Sequence, residues 1–287
     1  MSLPDNSSKF SRKPEWLRVR LPADGVFAKT DKLLSDLDLN TVCSGARCPN
    51  MCECYGRRVA TFMILGGSCT RSCAFCNIGG KGLPEPVDPD EPRRVALAAS
   101  RLGLRHVVVT SVTRDDLPGG GAPQFAAVIR EIRAALPDSG VEVLIPDFKG
   151  DVTALEMVLS ERPDVFNHNV ETVRELYSTV RPQAEYAMSL EVLARAARTG
   201  LKSKSGFMLG LGETRAQVSR LLADLADAGC SAVTAGQYLR PGRRNPEPAR
   251  YVPPAEFDEI AREGEALGLV MQCGPLVRSS YRADELR

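Results

Sequence analysis

The sequence predicts an α/β fold, a partial six-stranded (β/α) barrel with N-terminal and C-terminal extensions covering the barrel mouth. Three observations predict it. Apolar runs recur at 60–65, 106–112, 141–146, 165–169, 203–209 and 232–239. Segments of helical period lie between most of them, and strands alternating with helices imply a parallel sheet with right-handed crossovers. The 287 residues suffice for one large domain, yet a closed barrel of eight units typically needs more chain. An open side suits a large substrate. The expected division is an extension over 1–58, a barrel over 59–265 and a C-terminal segment over 266–287.

In chain order, residues 2–12 read as a disordered tail, and the basic residues Lys9, Arg12, Lys13, Arg18 and Arg20 as mostly solvated. Trp16, the single tryptophan, is expected to anchor this arm on the body. Leu33, Leu34, Leu37 and Leu39 predict a short amphipathic helix. Cys43, Cys48 and Cys54 follow, with Gly45, Pro49 and Asn50 between them predicting a turning loop rather than a helix. Cys52 is an alternative to Cys54 as a ligand. Past the first barrel strand come Cys69, Cys73 and Cys76. Asp90, Glu91 and Pro92 start a helix through 95–102, with Gly103 beyond its end. Phe125, Val128, Ile129 and Ile132 share one helix face, closed by Pro137; Val218, Leu221, Leu222 and Leu225 share another, followed by Gly229. Arg240, Arg243 and Arg244 read as surface charges, and Cys230 and Cys273 as buried small hydrophobes.

Ligands in such folds sit at the carboxyl ends of the strands. Polar runs collect there: Thr110 to Asp116, Asp147, Asn167 to Thr172, Gly210 to Glu213, and Gly236 to Tyr238. Each alone reads as a turn or cap; five in succession point to a ligand. Glu171 is a candidate for ribose hydroxyls. His168 is either a ligand or a satisfied core histidine.

Composition narrows the chemistry. Lys plus Arg is 37 and Asp plus Glu is 36, so charge points to neither nucleic acid nor an acidic membrane. Residues 1–10 lack the apolar core of a signal peptide, and no apolar run is long enough to span a bilayer. Nine cysteines, an odd number, argue against a disulfide framework and fit a reducing cytoplasm. The two histidines, His106 and His168, exclude a catalytic zinc held by three. Three thiolates within the eight residues 69–76 can converge on one small object, with Phe75 shielding it from water. Iron–sulfur clusters normally take four thiolates; three leave one iron open. The alternative from spacing alone is structural zinc.

The spacing of Cys69, Cys73 and Cys76, with Phe75 before the last, resembles the radical S-adenosylmethionine superfamily. That resemblance implies a 4Fe–4S cluster whose open iron chelates S-adenosylmethionine, and release of a 5′-deoxyadenosyl radical. From about Lys13 to Ala283 the chain resembles the lipoyl synthase family. The matching stretches include Thr41 to Cys54, Ala60 to Gly66, Cys69-Thr70-Arg71, Arg114 to Leu117, Pro163 to Asn169, Lys204-Ser205-Gly206, Gly236 to Leu239 and Arg278-Ser279-Ser280-Tyr281. The first cysteine trio and the terminal Arg-Ser-Ser-Tyr discriminate within the superfamily.

The family resemblance implies a second, sacrificial 4Fe–4S cluster on Cys43, Cys48, Cys54 and one of Ser279 or Ser280, with Ser280 favoured. It implies two sulfur insertions, at carbons six and eight of an octanoyl chain on a carrier-protein lysine, using two S-adenosylmethionine. Ser111, Asn169, Glu171 and Arg181 are the residues expected to hold S-adenosylmethionine or the substrate's end. Implied partners are octanoylated lipoyl-carrier domains (the 2-oxoacid dehydrogenase E2 and glycine cleavage H protein), a reductant such as ferredoxin or flavodoxin, and an iron–sulfur carrier that rebuilds the spent cluster. Departures from the family pattern are Cys52, Thr113, Pro118 and the loop Arg243-Arg244-Asn245, where a histidine is expected. The rival readings are a biotin synthase-like enzyme, which lacks the first trio, a zinc-binding module, and an electron carrier, which needs no large barrel.

Overall fold

Parallel pairing of the apolar runs builds the barrel wall. The structure, a computed structural model, describes residues 13–18, 26–46, 48–78 and 82–285. The basic residues Lys9, Arg12 and Arg20 and the tail over 2–12 lie outside the described residues. The strands are β1 (Asn40–Thr41), β2 (Val59–Ile64), β3 (His106–Ser111), β4 (Gly140–Leu144), β5 (Val165–Asn167), β6 (Lys202–Leu209), β7 (Ala232–Gln237) and β8 (Val270–Gly274). They form one sheet in chain order. β1 is antiparallel to β2, and every other pairing is parallel. The sheet order runs from β1 to β8 as an open barrel.

The six expected strands are all present, and two more join them. β1 has only two residues, too few to show a periodicity. Every residue of β8 is at least partly exposed, so it lacks the continuous apolar run of a buried strand. Part of the 266–287 segment therefore belongs to the sheet. Trp16 also corrects an expectation: it is 42% exposed, and its neighbour Leu17 is the buried residue.

Helices cover the outside of the sheet. Ala122–Ala135 buries Phe125, Val128, Ile129 and Ile132, against the outward-facing Val107, Val109, Val141 and Val143 of β3 and β4. Arg215–Asp227 begins with a capping box, in which Thr214 and Gln217 satisfy each other's free backbone N–H groups. Glu91–Arg101 starts where expected, but its Asp90 makes no side-chain cap. Instead the Glu91 carboxylate accepts from the Leu65 N–H at 3.1 Å and from Gln124 Nε2 at 2.9 Å, tying the helix to the end of β2.

The opposite face of the strands points into the barrel, since side chains alternate along a strand. There His106, Glu142 and Lys204 are fully buried. Lys204 Nζ donates to both Glu142 oxygens at 3.0 and 3.2 Å, and Asn167 Nδ2 donates to Oε1 at 2.9 Å. Burial would push the Glu142 carboxyl up; Lys204, His106 and Asn167 outweigh it and hold the group ionised below its usual range. Removing one partner of such a pair leaves an uncompensated charge. Lys204→Met is expected to cost about 3–5 kcal/mol of stability, read by chemical denaturation. A loss below about 1 kcal/mol would mean that the pair does not hold the barrel floor.

Candidate active site

Above this floor lies a cavity of about 610 Å³ at the carboxyl ends of the strands. Its wall includes Cys43, Cys48 and Cys54 and also Cys69, Cys73 and Cys76. Phe75, Ser111, Asn169, Glu171, Arg181 and Ser280 line the same space, so all the residues expected to hold cluster or cofactor are brought together.

The loop 69–76 is held from four directions. Thr70 N donates to Thr113 O at 2.9 Å, so Thr113 serves through its backbone. Ser72 N donates to Gln183 Oε1 at 2.7 Å, and Ala74 N to Val180 O at 2.9 Å. Asn245 Nδ2 reaches the Ala74 and Cys76 carbonyls at 2.9 and 3.0 Å. That residue belongs to the loop in which a histidine was expected, and its amide closes the cysteine loop. Arg71, 5% exposed, spans two carboxylates: Nε and Nη2 donate to Asp115 at 2.7 and 3.0 Å, and Nη1 and Nη2 to Asp147 at 2.7 and 2.6 Å. The planar guanidinium fork matches both at once. Burial alone would raise the Asp147 carboxyl; Arg71 holds it below the usual range.

The other trio corrects the expectation of a loop. Cys43 lies in a short helix, Val42–Gly45, capped by the Thr41 side chain on Ser44 N, and Cys54 lies in the helix Met51–Gly56. Two short helical turns fold the chain back on itself, with Cys48 N donating to Cys43 O at 3.0 Å between them. Cys52 is absent from the cavity wall, whereas Cys54 is part of it. The C-terminal segment lies against this region: Asn50 Nδ2 donates to Leu276 O at 2.6 Å, and Tyr281 Oη to Glu53 at 3.0 Å. Asn77 Nδ2 donates to Gly45 O at 3.0 Å and joins the two cysteine regions.

The thiols report on one another. Burial, then Cys48, pushes Cys43 up to about 11. Burial, then Cys43 and Cys48, pushes Cys54 up to about 12. Burial, then Cys73 and Cys69, pushes Cys76 up to about 12. Within each trio, charge on one thiol thus opposes charge on another, and a bound cation would relieve this, because a coordinating thiol is deprotonated outright. Among the described residues, no three His, Cys, Asp or Glu side chains close on a single-ion point; the thiols surround a volume instead.

The same wall carries polar atoms without partners. Ser111 Oγ and His168 Nε2 are buried and unbonded among the described residues. Burial, then Arg181, pushes the His168 ring down to about 4, so it is neutral near pH 7. Its Nδ1 lies 2.9 Å from Ile145 O and carries the proton that bonds it. Nε2 is therefore a bare acceptor on the cavity wall. Glu171, at φ +66°, is fixed by its backbone on both sides, N to Gly206 O and O to Met208 N, each at 2.9 Å. Gly206 leaves room for the Asn169 and Thr234 side chains: a Cβ there would stand 2.6 Å from Thr234 Oγ1 and 2.8 Å from Asn169 Oδ1. Arg181 Nη1 donates to Asn169 O, Val170 O and Tyr177 Oη, so much of its capacity goes into clamping the loop after β5.

Sequence reasoning did not single out Asn77, Gln183 or the closing role of Asn245. Their partners lie 32 to 171 positions away, and no local pattern marks such contacts. Arg71→Lys keeps the charge but loses the fork. It is expected to cost about 2–3 kcal/mol in chemical denaturation, as for hydrogen bonds to charged groups. An unchanged midpoint would remove Arg71 as the clamp of the cysteine loop.

The Radical SAM superfamily matches residues 63–225, more than half of the chain. The lipoyl synthase of Oleidesulfovibrio alaskensis is 57% identical over 284 residues, covering 99% of this chain and 97% of that protein. The lipoyl synthase of Chlorobium phaeovibrioides is 52% identical over 276 residues, covering 95% and 96%. Among solved structures, Streptococcus suis SuiB bound to S-adenosylmethionine superposes with a TM-score of 0.58 at 10% identity, over 86% of this chain and 60% of that one. That likeness bears on the fold alone. With near-complete coverage at this identity, and with both cysteine trios facing one cavity, the chain belongs to the lipoyl synthase family of the radical S-adenosylmethionine superfamily.

Proposed function

We propose that the cavity works as two facing compartments. In one, Cys69, Cys73 and Cys76 hold a 4Fe–4S cluster, with S-adenosylmethionine between it and Ser111, His168, Asn169 and Glu171. In the other, Cys43, Cys48, Cys54 and Ser280 hold the auxiliary 4Fe–4S cluster. When bound, these groups supply the radical and the sulfur by which this enzyme family sets two sulfur atoms on carbons six and eight of a protein-bound octanoyl chain. The observation that carries the reading is that two thiol trios line a single cavity together with buried polar atoms that lack partners.

The residues have separate tasks. Ser111 Oγ is available to donate or accept, and His168 Nε2 to accept, so a nucleoside with both kinds of group can satisfy them. Glu171 is suited to ribose hydroxyls, with Asn169 Nδ2 holding one carboxylate oxygen at 3.1 Å. Arg181 acts through the loop it clamps. Phe75 and the apolar wall of Met63, Leu144, Ile145 and Phe207 exclude water and leave a slot for an acyl chain. Ser280 is favoured over Ser279 as the fourth ligand because Ser279 Oγ is already bonded to Asn167 and Asn169.

The substrate is an octanoylated lipoyl-carrier protein, and we extend the proposal to E2 and H-protein domains, a ferredoxin- or flavodoxin-type reductant and an iron–sulfur carrier. Among the described residues no helix is long and apolar enough to cross a membrane; a cytoplasmic setting is part of the proposal. So is the division at 58 and 265, with the C-terminal part contributing both a strand and the cluster serine.

Anaerobically prepared protein is expected to carry about eight irons per chain, and about four in the Cys43/Cys48/Cys54→Ala variant. Cys52→Ala should retain all eight. Cys73→Ala should abolish S-adenosylmethionine cleavage, whereas Cys48→Ala should leave cleavage and stop lipoyl formation. Undiminished lipoyl formation by Cys48→Ala would rule out the auxiliary cluster as sulfur source.

A further inference from the structure

A single hydrogen-bonded path runs from the barrel floor to the cavity wall, and a residue of the C-terminal segment completes it. Lys204 Nζ donates to Glu142 at 3.0 Å. Asn167 Nδ2 donates to Glu142 Oε1 at 2.9 Å and to Ser279 Oγ at 3.0 Å. The Ser279 hydroxyl donates to Asn169 Oδ1 at 2.9 Å, and Asn169 Nδ2 donates to Glu171 Oε1 at 3.1 Å.

With Glu142 and Glu171 both ionised, one arrangement of donors and acceptors satisfies every group on the path. Lys204 keeps Glu142 ionised, so Glu142 can only accept. Asn167 therefore turns its amide N–H groups toward Glu142 and Ser279. Ser279 spends a lone pair on Asn167 and has one proton left, which goes to the Asn169 carbonyl. That fixes the Asn169 amide with its N–H groups toward Glu171. Reversed, Asn169 would set oxygen against the Glu171 carboxyl.

The rest of the segment is held elsewhere. Asn50 binds the Leu276 carbonyl, Glu53 binds Tyr281, and Arg57 pairs with Asp284 at 2.9 Å, all in the N-terminal extension. Among the described residues, the side-chain hydrogen bonds joining 275–285 to the barrel run through Ser279. Gly236 lets the segment lie directly on β7, since a Cβ there would stand 2.1 Å from Val277 O.

We propose that Ser279 is a positioning residue that couples seating of the C-terminal segment to the order of Asn169 and Glu171. It rests on the reading above, in which those two residues face S-adenosylmethionine and Ser280 faces the auxiliary cluster. One seating event then completes both compartments. Coupling of this kind is reciprocal: S-adenosylmethionine tightens the segment as much as the segment tightens the cofactor.

The test uses the anaerobic holoenzyme and two readouts besides turnover. In wild type, S-adenosylmethionine should slow hydrogen exchange over 275–285. Ser279→Ala should lose that protection and bind S-adenosylmethionine about two- to tenfold more weakly, the range for one neutral hydrogen bond. Ser279→Thr, which keeps a hydroxyl, should restore both. Wild-type protection and affinity in Ser279→Ala would overturn the coupling and leave the two-compartment site standing. The Mössbauer signal of the auxiliary cluster, read in Cys69/Cys73/Cys76→Ala protein, separates the other case. A signal altered by Ser279→Ala and untouched by Ser280→Ala would make Ser279 the ligand, overturning both the coupling and the assignment of Ser280.

Discussion

The buried Lys204–Glu142 pair sets the arrangement above it. Replacing a buried ion pair with apolar side chains of similar volume is often neutral or stabilising, so net stability is a poor reason for it to be there. Its use is directional. An ionised Glu142 accepts and never donates, and this fixes which way the Asn167 amide faces. From Asn167 the direction passes to Ser279, Asn169 and Glu171 at the cavity wall. An apolar floor would leave Asn167 without its acceptor and those amides without a preferred orientation.

Above the floor the governing constraint is electrostatic. Six thiols line one cavity, and burial makes Cys43, Cys54 and Cys76 reluctant to ionise while charge on a neighbouring thiol makes them more so. The fold holds them there through bonds that do not involve the thiols. Arg71 ties one loop to Asp115 and Asp147, and Asn245, Gln183 and Val180 hold its backbone. Thr41 and the C-terminal segment hold the other trio. Preorganisation by the surrounding shell is what keeps a site's geometry when its ligands alone would repel.

The two halves of the site were unequally legible. Three thiols within eight residues converge whatever the rest of the chain does, so Cys69, Cys73 and Cys76 declare themselves locally. The polar runs at strand ends did too, because a parallel sheet gathers those ends on one side. Cys52 against Cys54, and Ser279 against Ser280, stayed open in the sequence. Neighbours in a chain differ in the direction their side chains take: Cys54 lines the cavity and Cys52 does not, while Ser279 and Ser280 both line it and differ in that Ser279 is bonded to Asn167 and Asn169.

By itself the sequence determined the alternating α/β architecture, six of the eight strands, both cysteine trios and the resemblance that names their chemistry. These are matters of period, spacing and residue type, which need no long-range contact to be read. The tertiary structure decided the rest. It added β1 and β8, turned the first trio into two short helices, left Trp16 exposed, and brought residues 43, 169 and 280 to one cavity. The physical reason is that each of these depends on a contact between segments far apart in the chain, whose energy no local pattern records.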